Sequence, residues 1–447
     1  MVLETQINSL ISSMGGRIKD LHLARDLPSY VDPKELNQRF DPMLSMYNLK
    51  ASNLRVFRAA AAKAQARLSS LEVIYVGDSF GAGATSLTTW DRPKSPPMAM
   101  RDEIARRGIP VSGTGFVRAA DSGATSIDSR WVYTGTGWNA GGKWFVFTGT
   151  QNDFVTWTSD RTGDNVKLTY MDYDDGCVFT VSVDGADSGP GFTTVTCSGP
   201  SGQKSVMLNT SVDAGSTVVI TRTSATAATY LSILGIQVYD SGQPGVIVHN
   251  LSQSGSLASG TGLNSWSDST SNANALGHLL DDLTMITASG DEPALVIIGL
   301  GGNDKQTSQG PYSDSAVLAS LATVRSRFSS SDVMMVAENQ LNSTYTPYAT
   351  WDEFVKALYE WCDTNDYPLY DLRDRLGGYQ AIVDNGQSTD DIGHLLAEVS
   401  EMVGRSWGTS LAMEFGNVET PKIRVVPEGT TGFASEPDGT LWIEYTP

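Results

Sequence analysis

The sequence predicts an α/β protein: a parallel sheet with helices on both faces, an inserted antiparallel β-sandwich, an N-terminal helical segment and a small C-terminal β appendage. Two observations predict it. Short β-branched apolar runs at residues 71–76, 245–249, 294–298 and 333–336 alternate with helical patterns, the order that builds a parallel sheet from strand–helix units. Between the first two runs, residues 122–239 turn Gly/Ser/Thr-rich with period-two alternation, the signature of antiparallel strands. A chain of 447 residues, 40% hydrophobic, is long enough for two or three domains with real cores. The expected boundaries are 1–70 for an N-terminal helical or docking segment, 71–121 and 240–410 for the α/β domain, 122–239 for the insert and 411–447 for the appendage.

Taken in order, Ile7, Ile11, Met14, Ile18 and Leu21 form a short a/d stripe. It reads either as an amphipathic helix packed on a neighbour or as an oligomerising or docking helix, with Gly15-Gly16 weakening it. Pro28, Pro33 and Pro42 break the stretch that follows. Residues 54–68, rich in Ala and Arg, predict a helix that leads into the first strand. A further helix is expected over 98–107.

The insert is expected to be a sandwich of alternating runs such as 166–170, 179–183 and 218–221, with turns at Asp174-Asp175-Gly176 and Val183-Asp184-Gly185. Its Trp131, Tyr133, Trp138, Trp144, Phe145, Phe147, Phe154 and Trp157 either fill the sandwich core or stack on sugar rings. Cys177 and Cys197 lie in this region and are read as buried free thiols or as a pair; Cys362 is the third cysteine.

After the insert, helices are expected over 276–286 and 317–328. Thr350-Trp351-Asp352-Glu353 has the form of a capping box opening another, with Phe354, Val355, Leu358, Trp361 and Cys362 inside. Residues 367–372 predict a last strand. Leu395, Leu396, Val399, Met402 and Val403 read as the apolar face of a final helix. In the tail, 423–426 and 441–445 look like short strands of an appendage that covers the α/β domain or contacts another chain.

Three loops carry chemistry. The strand 71–76 ends in Gly77-Asp78-Ser79-Phe80-Gly81-Ala82-Gly83, where glycines permit the tight turn that exposes a nucleophilic hydroxyl; an ordinary turn is the bland reading. The strand 294–298 ends in Gly299-Leu300-Gly301-Gly302-Asn303-Asp304, and an Asn there aims an amide at a developing oxyanion or merely forms a turn. Asp391-Ile392-Gly393-His394 places a carboxylate three residues before a histidine at a helix start, where Asp391 can hold His394 as general base, or Asp390 or Asp391 merely caps the helix with His394 on the surface.

Together these blocks resemble the SGNH (GDSL-type) hydrolase family. The resemblance covers about half the chain, and the family's remaining block, a glycine after the second strand, is matched by Gly255 in Asn250-Leu251-Ser252-Gln253-Ser254-Gly255. It implies Ser79 as nucleophile, an oxyanion hole from the N–H groups of Ser79 and Gly255 and the side chain of Asn303, and Asp391 and His394 as the rest of the triad. Phe80 stands where the family often has Leu, and Leu395 where Pro is frequent; neither position performs chemistry. His22, His249 and His278 are expected in packing or surface roles.

The formal charge of −19 and pI near 4.5 argue against nucleic acid or an anionic membrane as partner, while neutral glycans and esters remain compatible. No cluster has metal-ligand spacing, so neither metal nor other cofactor is expected. No run of about eighteen apolar residues predicts a membrane span, and the start, Met1-Val2-Leu3-Glu4-Thr5-Gln6-Ile7, does not read as a secretory signal. The overall style is similar to minor tail or receptor-binding proteins of phages that infect actinobacteria. That likeness implies a place in a virion tail, with the N-terminal helix joining copies of the chain or other virion proteins; otherwise the chain is cytoplasmic or reaches the outside by a signal-independent route. The expected activity is a serine esterase or deacylase acting on acyl esters of cell-envelope glycans or lipids. The alternative is a non-catalytic adhesin or structural tail protein.

Overall fold

The strand runs that alternate with helices pair as a parallel sheet. The structure, a computed structural model, describes residues 46–86, 89–120, 128–141, 143–226, 229–270, 275–309, 311–388, 392–413, 424–427 and 442–445. Its strands are β1 (Met46–Tyr47), β2 (Leu71–Gly77), β3 (Val117–Arg118), β4 (Trp131–Thr134), β5 (Asn139–Gly141), β6 (Phe145–Thr148), β7 (Phe154–Thr158), β8 (Asn165–Asp172), β9 (Val178–Val183), β10 (Phe192–Thr196), β11 (Gly202–Leu208), β12 (Thr217–Arg222), β13 (Leu231–Tyr239), β14 (Val246–Asn250), β15 (Leu295–Gly299), β16 (Asp332–Ala337), β17 (Leu369–Asp371), β18 (Arg424–Pro427) and β19 (Trp442–Tyr445). Its helices are α1 (Arg55–Gln65), α2 (Ser79–Ala82), α3 (Pro96–Arg106), α4 (Asp314–Arg325), α5 (Tyr348–Asn365), α6 (Leu372–Leu376), α7 (Gly378–Asp384) and α8 (Ala397–Met413).

The main sheet runs β1-β17-β16-β15-β2-β14. All its pairings are parallel except that of β1 with β17. Alternate residues serve opposite faces, as a pleated strand requires. Leu71, Val73, Tyr75, Leu295, Ile297, Met334 and Val336 pack with side chains of α1, α3 and α8. Ile74, Val76, Val296, Ile298, Val333 and Met335 pack with α4, α5 and, from the insert, Trp144, Phe145 and Leu234. Both faces are thus covered, which explains why these runs are continuously apolar.

The insert forms a five-stranded sheet, β10-β9-β12-β7-β4, and a six-stranded sheet made of the path β11-β8-β13-β6-β5 and of β3, which pairs with β13. Between them lies a core that includes Trp131, Trp157, Phe179, Val181, Ile220 and Ile233. Because β3 already belongs to the insert, its sheet starts before residue 122. The structure settles most of the aromatic alternatives on packing: Trp131, Trp144, Phe145 and Trp157 are buried, and Tyr133, Trp138, Phe147 and Phe154 are part-buried. Cys177 and Cys197 oppose each other across β9 and β10 as free, buried thiols, and Cys362 is buried in α5.

Several expected boundaries move. Residues 46–70 supply β1 and α1 to the α/β unit, so they do not belong with a separate N-terminal segment; residues 1–45, with Ile7 to Leu21 and His22, lie outside the described residues. Residues 276–286 form two short 3-10 turns, Leu276–Leu280 and Leu283–Met285, in place of one α-helix. Helix α5 starts at Tyr348 with Pro347 before it, so Thr350 lies inside the first turn and does not cap it; proline presets the backbone for entry. The final helix starts at Ala397, after His394 and Leu395, and Met402 on it is 61% exposed. Its buried stripe is Val399, Val403, Trp407 and Leu411, a spacing of four that stays on one helix face. Strands β18 and β19 pair in parallel. No helix among the described residues is long and apolar enough to cross a membrane.

Candidate active site

The loops after β2, β14, β15 and β16 meet at the C-terminal ends of the strands, where open parallel sheets place ligands. Ser79 is the first residue of α2, directly after Asp78, whose carboxylate accepts the Phe80 N–H at 2.9 Å and caps the turn. Glycine is needed here because Tyr75 lies beneath. A Cβ on Gly77, Gly81 or Gly299 would come within 2.1–2.3 Å of the Tyr75 ring or hydroxyl.

Gly255 has φ of +69° and occupies the third position of a turn closed by Ser256 N–H to Gln253 O at 3.1 Å, a place that favours glycine. The turn is tied to β2 through Gly77 O, which accepts from Gln253 N–H at 3.0 Å and from Ser256 Oγ at 3.0 Å. Arg118, on β3 of the insert, is almost fully buried and donates to the carbonyls of Leu251 and Ser252, to Gln253 Oε1 and to Lys143 O. The insert therefore helps to fix the loop that carries Gly255. Lys143 Nζ in turn donates to Ser254 O at 3.4 Å.

Asn303 begins the turn after β15. Its Nδ2 donates to Asp78 Oδ2 and to Ser256 O, each at 2.9 Å, while its Oδ1 accepts from Gln306 at 2.6 Å. One amide thus joins the Ser79 and Gly255 loops. Both of its hydrogens are engaged in this structure. The adjacent Asp304 carboxylate accepts the Ala258 and Ser259 N–H groups at 2.9 and 2.8 Å and orders the next stretch of the Gly255 loop.

His394 Nε2 lies 3.2 Å from Ser79 Oγ. Two bonds from the loop after β16 hold its segment: Asn339 Nδ2 to Gly393 O at 2.7 Å, and Asn342 N–H to Ile392 O at 3.0 Å. Gly393 has φ of +115°, which a side chain would strain. Asp391 lies outside the described residues.

The same loop brings Glu338 against Asp78. Their side chains share a hydrogen bond, and burial raises the pKa of both, Asp78 to about 6 and Glu338 well above the carboxylate range. For Glu338 the Asp78 charge adds to burial, whereas Asp78 is pulled back by its donors.

The structure therefore brings Ser79, Gly255, Asn303 and His394 to one place. Sequence reading missed Glu338, Asn339, Asn342 and Arg118. Glu338 and Asn339 had a weak signal, the polar run Glu338-Asn339-Gln340 directly after an apolar strand. Arg118 had none, since its role depends on the insert folding back. Of the other described histidines, His249 is fully buried, accepting the Phe116 N–H on Nδ1 and donating from Nε2 to Glu72 at 2.8 Å. His278 pairs with Asp281. A groove of about 400 Å³ lined by Arg67, Asp160, Arg161 and Asp240 adjoins residues 110–112 and holds none of the site residues.

The mixed α/β architecture with a serine–histidine pair at the strand ends is consistent with a hydrolase fold. Three solved structures are among those similar to this chain. A peptidoglycan O-acetylesterase is similar over 82% of this chain and 97% of its own, with a TM-score of 0.58 and 15% identity, a likeness of fold. A family two carbohydrate esterase from Cellvibrio japonicus (TM-score 0.28, 12% identity, 69% of this chain and 100% of that one) also matches. So does a lipase/acylhydrolase from Enterococcus faecalis (TM-score 0.29, 17% identity, 38% and 77%). The last two scores are too low to bear on the fold. No family model and no curated protein matches the sequence.

Proposed function

We propose that this protein is a serine esterase or deacylase of the SGNH type, hydrolysing acyl esters of cell-envelope glycans or lipids. The observation that carries the reading is the 3.2 Å approach of His394 Nε2 to Ser79 Oγ at the end of β2. His394, with its proton on Nδ1, takes the hydroxyl proton as Ser79 attacks the ester carbonyl, then delivers that proton from Nε2 to the leaving alcohol. Water, deprotonated by the same nitrogen, attacks the acyl-enzyme; Ser79 Oγ leaves, takes that proton back from Nε2, and the acid is released. Asp391 is the residue assigned to hold His394 in this tautomer.

The tetrahedral oxyanion is assigned to the N–H groups of Ser79 and Gly255 and to Asn303. Asn303 reaches it by turning one hydrogen from Ser256 O toward the substrate while Asp78 keeps the other. A glycan ester as substrate is supported by the fold likeness to a peptidoglycan O-acetylesterase and by a net charge of −19, which disfavours anionic polymers. Of the exposed rings on the insert, Tyr173 and Tyr230 are 37% and 42% accessible and suit sugar stacking.

Acetate release from O-acetylated peptidoglycan tests the activity. Ser79→Ala is expected to abolish it while the protein keeps its melting temperature; undiminished release would sink the assignment. A fluorophosphonate probe separates this from an adhesin, since a pure binder would leave Ser79 unlabelled. For location, we propose the phage tail, with the N-terminal segment as the attachment to other copies or virion proteins; antibody labelling of purified virions away from the tail would refute it.

A further inference from the structure

Glu338, which follows β16 and is buried against Asp78 after β2, has no role in the chemistry above. Glu338 is 5% exposed, and its Oε1 has no hydrogen-bond partner among the described residues. It reaches Asp78 because Gly302 leaves room: a Cβ there would lie 2.6 Å from Glu338 Oε2 and 3.7 Å from Asp78 Oδ2. The Gly302 N–H hydrogen-bonds the Glu338 carboxyl. Tyr75 lies under the pair, and Asp304 is the further charge that bears on Glu338. Among the described residues, no Lys, Arg or His forms an ion pair with Glu338.

Ionised carboxylates only accept hydrogen bonds, so two of them in contact must share a proton. Its location follows from the partners. Asp78 already accepts from Phe80 N–H and from Asn303 Nδ2, which favours the anion; Glu338 has, among the described residues, one such donor, the Gly302 N–H, and sits against the Asp78 charge. Glu338 is then the acid and Asp78 the base of this bond. Asp78 is in consequence gripped from three sides, by the nucleophile turn, the Asn303 amide and the Glu338 hydroxyl.

We propose that Glu338 is a positioning residue that works as a neutral acid, its proton fixing the Asp78 carboxylate that orients Asn303 beside Ser79. The inference deepens the esterase reading and rests on it. Loss of the proton would set two anions against each other and push Asp78 away from Asn303. Glu338→Gln keeps a donor to Asp78, though not an acceptor for Gly302 on the same atom, whereas Glu338→Leu keeps neither.

The test combines infrared spectroscopy at neutral pH with ester kinetics on the full chain. The wild type and Ser79→Ala are expected to show the carbonyl stretch of a protonated carboxylic acid, and Glu338→Gln to lack it. On p-nitrophenyl acetate, Glu338→Gln should keep kcat within about threefold, and Glu338→Leu should lose roughly tenfold or more in kcat with little change in KM, the pattern of a weakened transition-state contact. The proposal is overturned if the band is absent from the wild type, if it persists in Glu338→Gln, or if Glu338→Leu turns over like the wild type. The infrared result stands whether or not the ester is cleaved, so an inactive wild type would refute the esterase reading without touching the proton assignment. If Glu338→Leu fails to fold, the band and the Glu338→Gln rate decide.

Discussion

The side-chain amide of Asn339 donates to the carbonyl of Gly393 at 2.7 Å, binding the loop after β16 to the residue before the candidate base. His394 precedes the final helix and is not part of it. Its position therefore depends on this bond and on the one from Asn342 to Ile392. Asn339→Ala should lower kcat by about tenfold, the effect of a small displacement of a catalytic group. The accompanying loss of stability should be about 1–2 kcal/mol for a buried hydrogen bond. Ester kinetics and urea unfolding measure the two separately; a full-rate variant would show that the Asn339 bond does not position His394.

Two glycines of the site should respond differently to alanine. At Gly255 the nearest atom to a new Cβ is Lys143 Nζ at 4.0 Å, so the penalty is the φ of +69°, about 1 kcal/mol. Gly255→Ala should fold, and because alanine keeps the N–H, turnover should fall only as far as the strained turn shifts that group. At Gly81 a Cβ would lie 2.1 Å from the Tyr75 ring and 2.3 Å from Ser252 Oγ. Gly81→Ala should cost about 1–3 kcal/mol by overpacking. Thermal unfolding of the two variants should rank them in that order.

Helix α8 crosses α3 at Gly404 and Gly408. A Cβ on Gly404 would lie 2.2 Å from Pro96 O, and one on Gly408 would lie 2.7 Å from Glu103 Cβ. Gly404→Val should push the helices apart and lower stability by about 3 kcal/mol or more. Circular dichroism melts would show a lower midpoint, and an unchanged midpoint would mean that the helix pair gives way at no cost.

Glu72 and His249 form a buried pair between β2 and β14, and the Ala288 and Ser289 N–H groups also donate to Glu72 at 2.7 and 2.8 Å. Burial alone would raise the Glu72 pKa, but His249 and these donors win and lower it. A carboxyl whose folded pKa lies below its unfolded one stabilises the fold above the unfolded value, near 4.5. That stability is lost as pH falls through the folded value. Glu72→Gln should therefore be less stable than the wild type at neutral pH, with the gap closing below the ordinary glutamate range. Denaturant midpoints across acidic pH check the sign.

Much of this was legible early because it is local. The strand runs at 71–76 and 294–298 are fully buried on both faces, so their composition alone marks them. Ser79, Gly255 and Asn303 follow such strands, and the strand-end rule picks them out. The misplaced helix start near Thr350 and the exposed Met402 are boundary errors of a kind that periodicity cannot resolve, since neighbours decide which turn is capped and which face is buried. Glu338 was overlooked because an acid after a strand is usually solvated. Only its contact with Asp78 makes it unusual.

By itself the sequence determined the alternation of strands and helices, the interruption by a β-rich insert, and the chemical types at three strand ends, because each depends on short-range pattern. The tertiary structure decided what lies beyond that range. It folds the insert back so that Arg118 grips the Gly255 loop, joins Asn303 to both Asp78 and Ser256, and brings His394 to Ser79 across 315 positions. The reason is physical: hydrogen bonds and shared protons depend on distances of a few ångströms, and residues remote in the chain reach those distances only when the sheet and its two packed faces have formed.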